Sequence, residues 1–260
     1  MSQRSSPVFA PLSRAPAYTQ VASAIERKIM ARELIVGELL PPETEIARQF
    51  GVHRSTVREA LRRLESAGLL SRRPGSKRMV ITRPDSADVA SGLSRALLLN
   101  DVSFHDVWEA LQLVEPEIAA LAARRRSDQA LEHLRRLQLE FANSPAGDPG
   151  AVRLVGRFFA TLALAADNPA LALAAQPLVQ LLEPSLAQMI DRVTQARGRI
   201  RDAQARIVAA IECQAADEAR QWMQRHVQDF RRGLELAGIG MQRTVDQPPP
   251  VTALARDENF

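Results

Sequence analysis

Side chains that can donate hydrogen bonds are concentrated in the segment ETEIARQFGVHRSTVREALRRLE of this 260-residue sequence. An Arg guanidinium can donate two hydrogen bonds to guanine O6 and N7, and Ser or Thr hydroxyls reach phosphates or base edges. The residues with this chemistry are Thr44, His53, Arg54, Ser55, Thr56 and Arg58. Their types and close spacing indicate contacts with the bases and backbone of duplex DNA.

Two short predicted helices would position these donors. The first runs from Glu43 to Phe50 and the second from His53 to Glu65, and Gly51 interrupts the pattern between them. Each has apolar residues at the spacing of one buried stripe. These residues are Ile46, Ala47, Phe50, Val57, Ala60, Leu61 and Leu64. Two short helices joined by a tight turn, the second with polar residues near its start, are typical of a helix-turn-helix that enters the major groove.

A basic hairpin is predicted directly after these helices. The segment LLSRRPGSKRMVI indicates two short strands around a turn at Pro74 and Gly75, which would make the unit winged. Gly75 has no Cβ and would let the backbone approach the minor groove or the sugar-phosphate closely. The cations expected to contact phosphates are Arg72, Arg73, Lys77 and Arg78. Charge alone would equally suit two amphipathic helices with a solvated cationic face, but the turn, the hydroxyl residues and the hairpin favour the winged unit.

Length and composition predict a two-domain protein. At 260 residues with 46% hydrophobic content, each domain can have its own core. No run of eighteen apolar residues occurs and the first residues lack a signal-peptide centre, so we expect a soluble cytoplasmic protein without a membrane partner. Cys213 is alone, which excludes an internal disulfide and a Cys-based zinc site. Residues 1–84 have 15 Lys and Arg against 7 Asp and Glu, so the predicted DNA-binding end is the positive one.

The predicted fold is mainly α: a winged helix-turn-helix with a small β-hairpin, followed by an all-α helical bundle. We expect a disordered arm over 1–14, the winged unit over 15–84, the all-α domain over 85–242 and a disordered tail over 243–260. Thr19 is a possible cap of a first helix, and Ser103 with Asp106 has the spacing of a capping box. Pro116 predicts a kink in the long helix that follows Ser103. The other predicted helices cover 18–33, 86–99, 127–142, 150–166, 169–193, 196–213 and 215–237.

The strings LLPPETEIARQFGVHRSTVREALRRLESAGLL, LVEPEIAALAA and AADNPAL resemble GntR-family transcription regulators of the FadR branch, over about residues 18–237. The resemblance implies a dimeric DNA-binding protein whose helical domain binds a small metabolite and thereby changes operator affinity. It also implies that the six donors named above and Gly75 contact DNA. His53 departs from the family, because many relatives have Ser at this helix cap and His is a poor one. We expect His53 to compensate through a phosphate or base contact; the alternative is a tolerated weak cap.

The metal site that many members of this branch hold in the bundle is predicted to be absent. The resemblance places its Asp and first two His at Val155, Phe159 and Gln204, and only His226 keeps a ligand side chain. Val, Phe and Gln cannot supply the anionic oxygen and imidazole nitrogens that a transition metal needs. No cofactor is therefore expected.

The resemblance also places Leu111 where relatives often have an Arg that meets a ligand carboxylate. Two interpretations follow. Either the pocket accepts an apolar or weakly polar effector, or side chains fill it, with Gln204 and His226 satisfying each other, and the domain only dimerises. For the first interpretation the predicted pocket residues are Trp108, Leu111, Val155, Phe159, Arg201, Gln204 and His226.

The sequence favours a repressor that binds a twofold-symmetric operator on double-stranded DNA as a homodimer and responds to a small effector. An effector-independent DNA-binding dimer is the alternative. An enzyme in the bundle is poorly supported, because the sequence offers no metal constellation, no nucleophile with an adjacent base and no phosphate-binding Gly loop.

Overall fold

The computed structural model describes residues 15–73 and 78–245. The chain divides into two compact units between Asp85 and Ser86. Among the described residues, no helix is long and apolar enough to cross a membrane.

The described residues of the first unit form three helices and a hairpin: α1 (Ala17–Met30), α2 (Glu43–Phe50), α3 (Arg54–Ser66), β1 (Leu70–Arg72) and β2 (Met79–Ile81). β1 and β2 are antiparallel, with Leu70 opposite Ile81. Leu39, in the connector before α2, forms a bridge to Val80 on the other edge of β2. The apolar stripe of α3 packs with α1, α2 and the hairpin in one core. The winged helix-turn-helix predicted from the sequence is therefore confirmed.

The ends of α1 and α2 follow from their backbone chemistry. Gly51 ends α2 in the left-handed conformation, with φ of 65°, which glycine adopts without steric cost. The prediction that Thr19 caps α1 is wrong. The helix begins earlier, at Ala17 after Pro16, and the Pro16 carbonyl accepts the Thr19 amide at 2.9 Å. Pro16 sets the start because its fixed φ suits the beginning of a helix.

The second unit, as far as the structure describes it, is a bundle of seven helices: α4 (Ser86–Leu99), α5 (Phe104–Arg125), α6 (Asp128–Asn143), α7 (Ala151–Ala165), α8 (Pro169–Arg192), α9 (Ala196–Glu212) and α10 (Ala216–Leu236). α5 is the central helix and packs against α7, α8, α9 and α10. The capping box at its start is confirmed, with Ser103 Oγ accepting the Asp106 amide and the Asp106 carboxylate accepting the Ser103 amide. Pro116 lies buried inside α5.

The last described residues pack on this bundle although the sequence assigned 243–245 to the tail. Val245 is buried, and its amide donates to the Val102 carbonyl at 2.9 Å. The Phe104 amide, at the start of α5, donates to the Arg243 carbonyl at 3.0 Å. The chain after α10 therefore supplies acceptors that the first turn of α5 would otherwise lack. The remainder of the expected tail and the arm over 1–14 lie outside the described residues.

Candidate nucleic-acid interface and helical-domain cavity

The start of α3 presents the predicted donors to solvent. Arg54, Ser55 and Arg58 are exposed while Thr56 is half-buried. The opposite face of α3 is buried in the core of the first unit, so the polar face is free to meet a partner. Thr44, in the first turn of α2, is also exposed. The structure thus brings these donors together at one end of two helices, as a groove-binding helix requires.

His53 is the N-cap residue of α3, as expected, and its side chain makes no capping hydrogen bond. Its carbonyl accepts the Thr56 amide at 3.0 Å, and the imidazole is exposed. A Ser at this position could accept one further amide of the first turn. The contact of His53 with DNA stays a prediction.

Glu43 joins α2 to the donor face and was not identified from the sequence as a site residue. Arg58 donates from Nε and Nη2 to the Glu43 carboxylate, the latter at 3.0 Å, and Arg54 Nη2 lies 3.9 Å from the same group. The hydrogen bond from Arg58 lowers the pKa of Glu43 below its ordinary value. Glu43 therefore carries a full charge that orients two of the predicted base-reading side chains. An acid at the start of α2, where the helix dipole favours it, was the available signal.

The described cations of the hairpin differ in the partners that their guanidinium groups contact. Arg72 forms an ion pair with Glu65 at 3.5 Å, and Arg73 is exposed. The Arg78 guanidinium, expected to contact phosphate, donates to the Leu40 carbonyl at 3.2 Å and so also ties the hairpin to the connector. Gly75 and Lys77 lie outside the described residues.

A cavity of about 80 Å³ lies among α5, α7, α8, α9 and α10. Its wall is mostly apolar. Four of the predicted pocket residues line it: Leu111, Val155, Phe159 and His226. The structure therefore leaves space at the positions where the sequence allowed either a pocket or a filled core.

Three of the predicted pocket residues do not line this cavity. The Trp108 indole donates to the Val227 carbonyl at 3.1 Å and lies beneath Arg231. Arg201 is exposed and pairs with Asp202 on its own helix, because it lies on the outer face of α9; Arg199 lines the cavity instead. Gln204 is fully buried on α9.

Gln204 and His226 do not satisfy each other. Neither polar atom of the Gln204 side chain has a hydrogen-bond partner in the structure. The His226 imidazole instead stacks on the Phe159 ring, with centroids 5.7 Å apart and planes at 12°. The polar contact that would have characterised a filled core is therefore not made.

The residues at the family's metal positions do not fit a metal ion. Val155 and Phe159 have no lone pair to donate, and the Phe159 ring covers one face of His226. Across 15–73 and 78–245, no three His, Cys, Asp or Glu side chains are grouped so that they could hold a metal.

Three acids in the cavity wall were not identified from the sequence as pocket residues: Asp229, which pairs with Arg199, and Glu115 and Glu183. Glu115 on α5 is 1% exposed and its Oε2 has no hydrogen-bond partner. Burial raises the pKa of Glu115 to about 8 and lowers that of His226 to about 4, so both are neutral near pH 7. Burial also raises the pKa of Glu183 on α8. The helical spacing of Leu111, Glu115 and Ile118 was the signal that Glu115 points inward.

Comparison with known proteins matches both units. Residues 17–80 match the family described as "Bacterial regulatory proteins, gntR family", and residues 106–229 match the "FCD domain". The chain is 35% identical over 135 residues to the Uxu operon transcriptional regulator of Escherichia coli K12, a match that covers 52% of each chain. It is 29% identical over 222 residues to the Uxu operon regulator of Haemophilus influenzae, covering 82% of this chain and 80% of that protein.

A solved structure is similar to this chain over most of its length. The structure of Streptococcus agalactiae GntR aligns with a TM-score of 0.56 and 28% identity, covering 83% of this chain and 99% of the other.

Proposed function

Because the chain belongs to the GntR family of bacterial regulatory proteins, in the FadR-like branch whose second domain is an FCD domain, we propose that it represses transcription as a homodimer on a twofold-symmetric operator. The family and the matched relatives are transcriptional regulators rather than enzymes. DNA binding therefore belongs to the winged unit, and effector binding to the helical domain. A regulator of bacterial DNA works where that DNA is, so we propose a cytoplasmic location.

The observation that carries the DNA-binding assignment is the exposed guanidinium pair of Arg54 and Arg58, held by Glu43 beside the start of α3. We propose that these two residues read bases, and that Thr44, His53, Ser55, Thr56 and the hairpin cations contact bases or phosphates. Arg54→Ala or Arg58→Ala should cost about 1 to 3 kcal/mol of operator affinity and relax sequence preference.

Gel shifts against genomic fragments at two salt concentrations, followed by footprinting, test this assignment. Arg136→Ala is the matched control, because Arg136 is an exposed Arg on α6 of the other unit. An unchanged footprint and unchanged affinity for both α3 variants would refute base reading.

The effector part of the proposal rests on the cavity. Its space of about 80 Å³ supports a small organic ligand over the alternative, in which the domain only dimerises. Thermal-shift screening with metabolites separates the two, since a ligand that binds the folded state raises the melting temperature. No shift across broad panels of small molecules would favour dimerisation alone.

The effector site is proposed to work without a metal. Protein purified without chelator should contain zinc, nickel and manganese only far below one equivalent per chain. One equivalent, lost in a His226→Ala variant, would overturn this proposal, because His226 is the single ligand-type side chain at the family's metal positions.

A further inference from the structure

Glu115 is a buried acid in the wall of an apolar cavity, and no cation of the described residues forms an ion pair with it. The residue one helical turn earlier on the same wall is Leu111. Among the described residues that line the cavity, the basic side chains are Arg199 and His226. Arg199 pairs with Asp229 at 3.1 Å, and both side chains are more than 40% exposed, so this pair lies at the solvent side. A buried carboxylate without a partner is costly, which makes Glu115 an anomaly of a structural core but a usable group in a binding site.

A second carboxylate, that of Glu183 on α8, lines the same cavity. A Cβ added at Gly156 on α7 would lie 2.7 Å from Glu183 Oε1. The absence of a side chain at Gly156 therefore leaves space for the Glu183 carboxylate. Among the described residues, Glu183 forms no ion pair, so two acids share the cavity wall without a neutralising charge.

We propose that the cavity binds a small organic ammonium ion, whose charged head pairs with Glu115 and Glu183 and whose apolar body contacts Leu182, Leu186 and Met189. This assignment rests on the proposed function, in which the cavity is the effector site. An ammonium group has three donors and no acceptor, which matches carboxylate oxygens that lack partners. The surrounding apolar wall excludes water and strengthens the pairing of opposite charges.

The cavity volume limits the size of the ligand. One water needs about 10–15 Å³ of such space, and a cavity of about 150 Å³ accepts benzene. The observed 80 Å³ therefore suits a compact ligand of about four to six non-hydrogen atoms. A short primary alkylamine has this size.

Binding should displace a proton. At pH 7 Glu115 is protonated because burial raises its pKa to about 8. When the ammonium ion enters, the carboxylic proton leaves to solvent and the carboxylate pairs with the ligand. In the described part of the chain, the other titratable or charged groups at the cavity are Glu183 from α8, Arg199 from α9, and His226 and Asp229 from α10, and α7 contributes none.

Three ligands of equal length isolate the charge of the head group. Butylamine, 1-butanol and butyrate are titrated into the full-length protein by calorimetry at pH 7, in buffers of different ionisation enthalpy. Butylamine should bind with proton release, and butyrate and 1-butanol should bind at least about tenfold more weakly, as expected for charge-assisted hydrogen bonds.

The variant Glu115→Gln keeps the shape of the side chain and removes its charge, so it should fold and should weaken butylamine binding about tenfold or more. Glu140→Gln is the matched control, because Glu140 is an exposed acid on α6, and it should bind as the wild type does. Equal binding of 1-butanol, preferential binding of butyrate, unaltered binding by Glu115→Gln, or no binding of any of the three would each overturn the inference.

The titrations use protein without DNA, so their outcome is independent of the regulatory proposal. If butylamine binds through Glu115 but leaves operator affinity unchanged, the ligand assignment stands and the effector role of the cavity falls. If another compound releases the operator and butylamine does not bind, the regulatory proposal stands and the ammonium assignment falls.

Discussion

At the scale of single residues, Glu43 is the acid that pairs with the guanidinium groups of Arg54 and Arg58 on α3. It orients Arg58 at 3.0 Å and lies within 3.9 Å of Arg54, and it also reduces the positive field that attracts phosphates. Glu43→Gln should raise affinity for unrelated duplex DNA and lower the ratio of specific to non-specific binding by a few-fold. Gel shifts with the selected operator fragment and a scrambled duplex measure this ratio.

The control for this prediction is Glu33→Gln, which removes the same charge. Glu33 follows α1 and forms an exposed ion pair with Lys28. Glu33→Gln should leave the ratio unchanged. If both variants lower it equally, net charge rather than the orientation of Arg58 explains the effect.

His53 offers a second test at the residue scale. Replacing it with Ser should raise the stability of the fold through capping, and should lower operator affinity if the imidazole contacts DNA. His53→Ser should supply the side-chain cap that α3 lacks and stabilise the fold by about 0.5 to 2 kcal/mol. If His53 also contacts DNA, operator affinity should fall in the same variant. Urea denaturation and gel shifts measure the two quantities, and unchanged affinity with raised stability would leave His53 as only a tolerated weak cap.

At the scale of elements, helices α5 and α10 each bury a group that burial keeps neutral, and their pH effects have opposite signs. The pKa of Glu115 is raised from 4.5 to about 8, so stability falls as the pH rises through this interval. The pKa of His226 is lowered from 6.5 to about 4, so stability falls as the pH drops through that interval. The two effects oppose each other between about pH 4.5 and 6.5, and above pH 6.5 the effect of Glu115 acts without that of His226.

Between pH 6.5 and 8, therefore, the wild type should lose stability as the pH rises, by at most about 1.4 kcal/mol per pH unit for Glu115. Glu115→Gln should reduce this slope, and below pH 6.5 it should become destabilised by acid because the His226 effect is then less opposed. Urea denaturation at pH 5, 6.5 and 8 measures the change in unfolding free energy below and above pH 6.5, with Glu140→Gln as control. Parallel curves for Glu115→Gln and the wild type would show that Glu115 does not titrate across this range.

The elements themselves were predictable because their signals are local. Apolar residues at helical spacing and the Ser103 capping box place α5, and Gly51 places the turn between α2 and α3. The pairing of Arg58 with Glu43 was not predictable, since it depends on the angle between two helices. The sequence placed Arg201 in the pocket, whereas Arg199 lines the cavity, for a similar reason. Which residue faces the cavity depends on the rotation of α9 against its neighbours, and a stripe of apolar residues defines that rotation only to within a residue or two.

At the scale of the whole molecule, the sequence predicted the order of a winged unit and a helical bundle, because charge and periodicity change along the chain at their junction. Whether the bundle encloses a cavity was left open, and packing decides it. A core is filled or empty according to how five helices interdigitate, and Gly156 shows how a single missing Cβ can leave room for a neighbouring carboxylate.

The proposed homodimer makes a quantitative prediction about salt. Each neutralised phosphate contributes about −0.9 to the slope of log affinity against log salt concentration. Arg73 is exposed at the end of β1, and a twofold-symmetric complex would contain it twice. Arg73→Ala should therefore reduce the magnitude of the slope by about 1.8 rather than 0.9, while Arg136→Ala leaves it unchanged. A change near 0.9 would indicate that only one winged unit binds the DNA and would contradict the symmetric dimer. No change in the slope would show that Arg73 does not contact a phosphate.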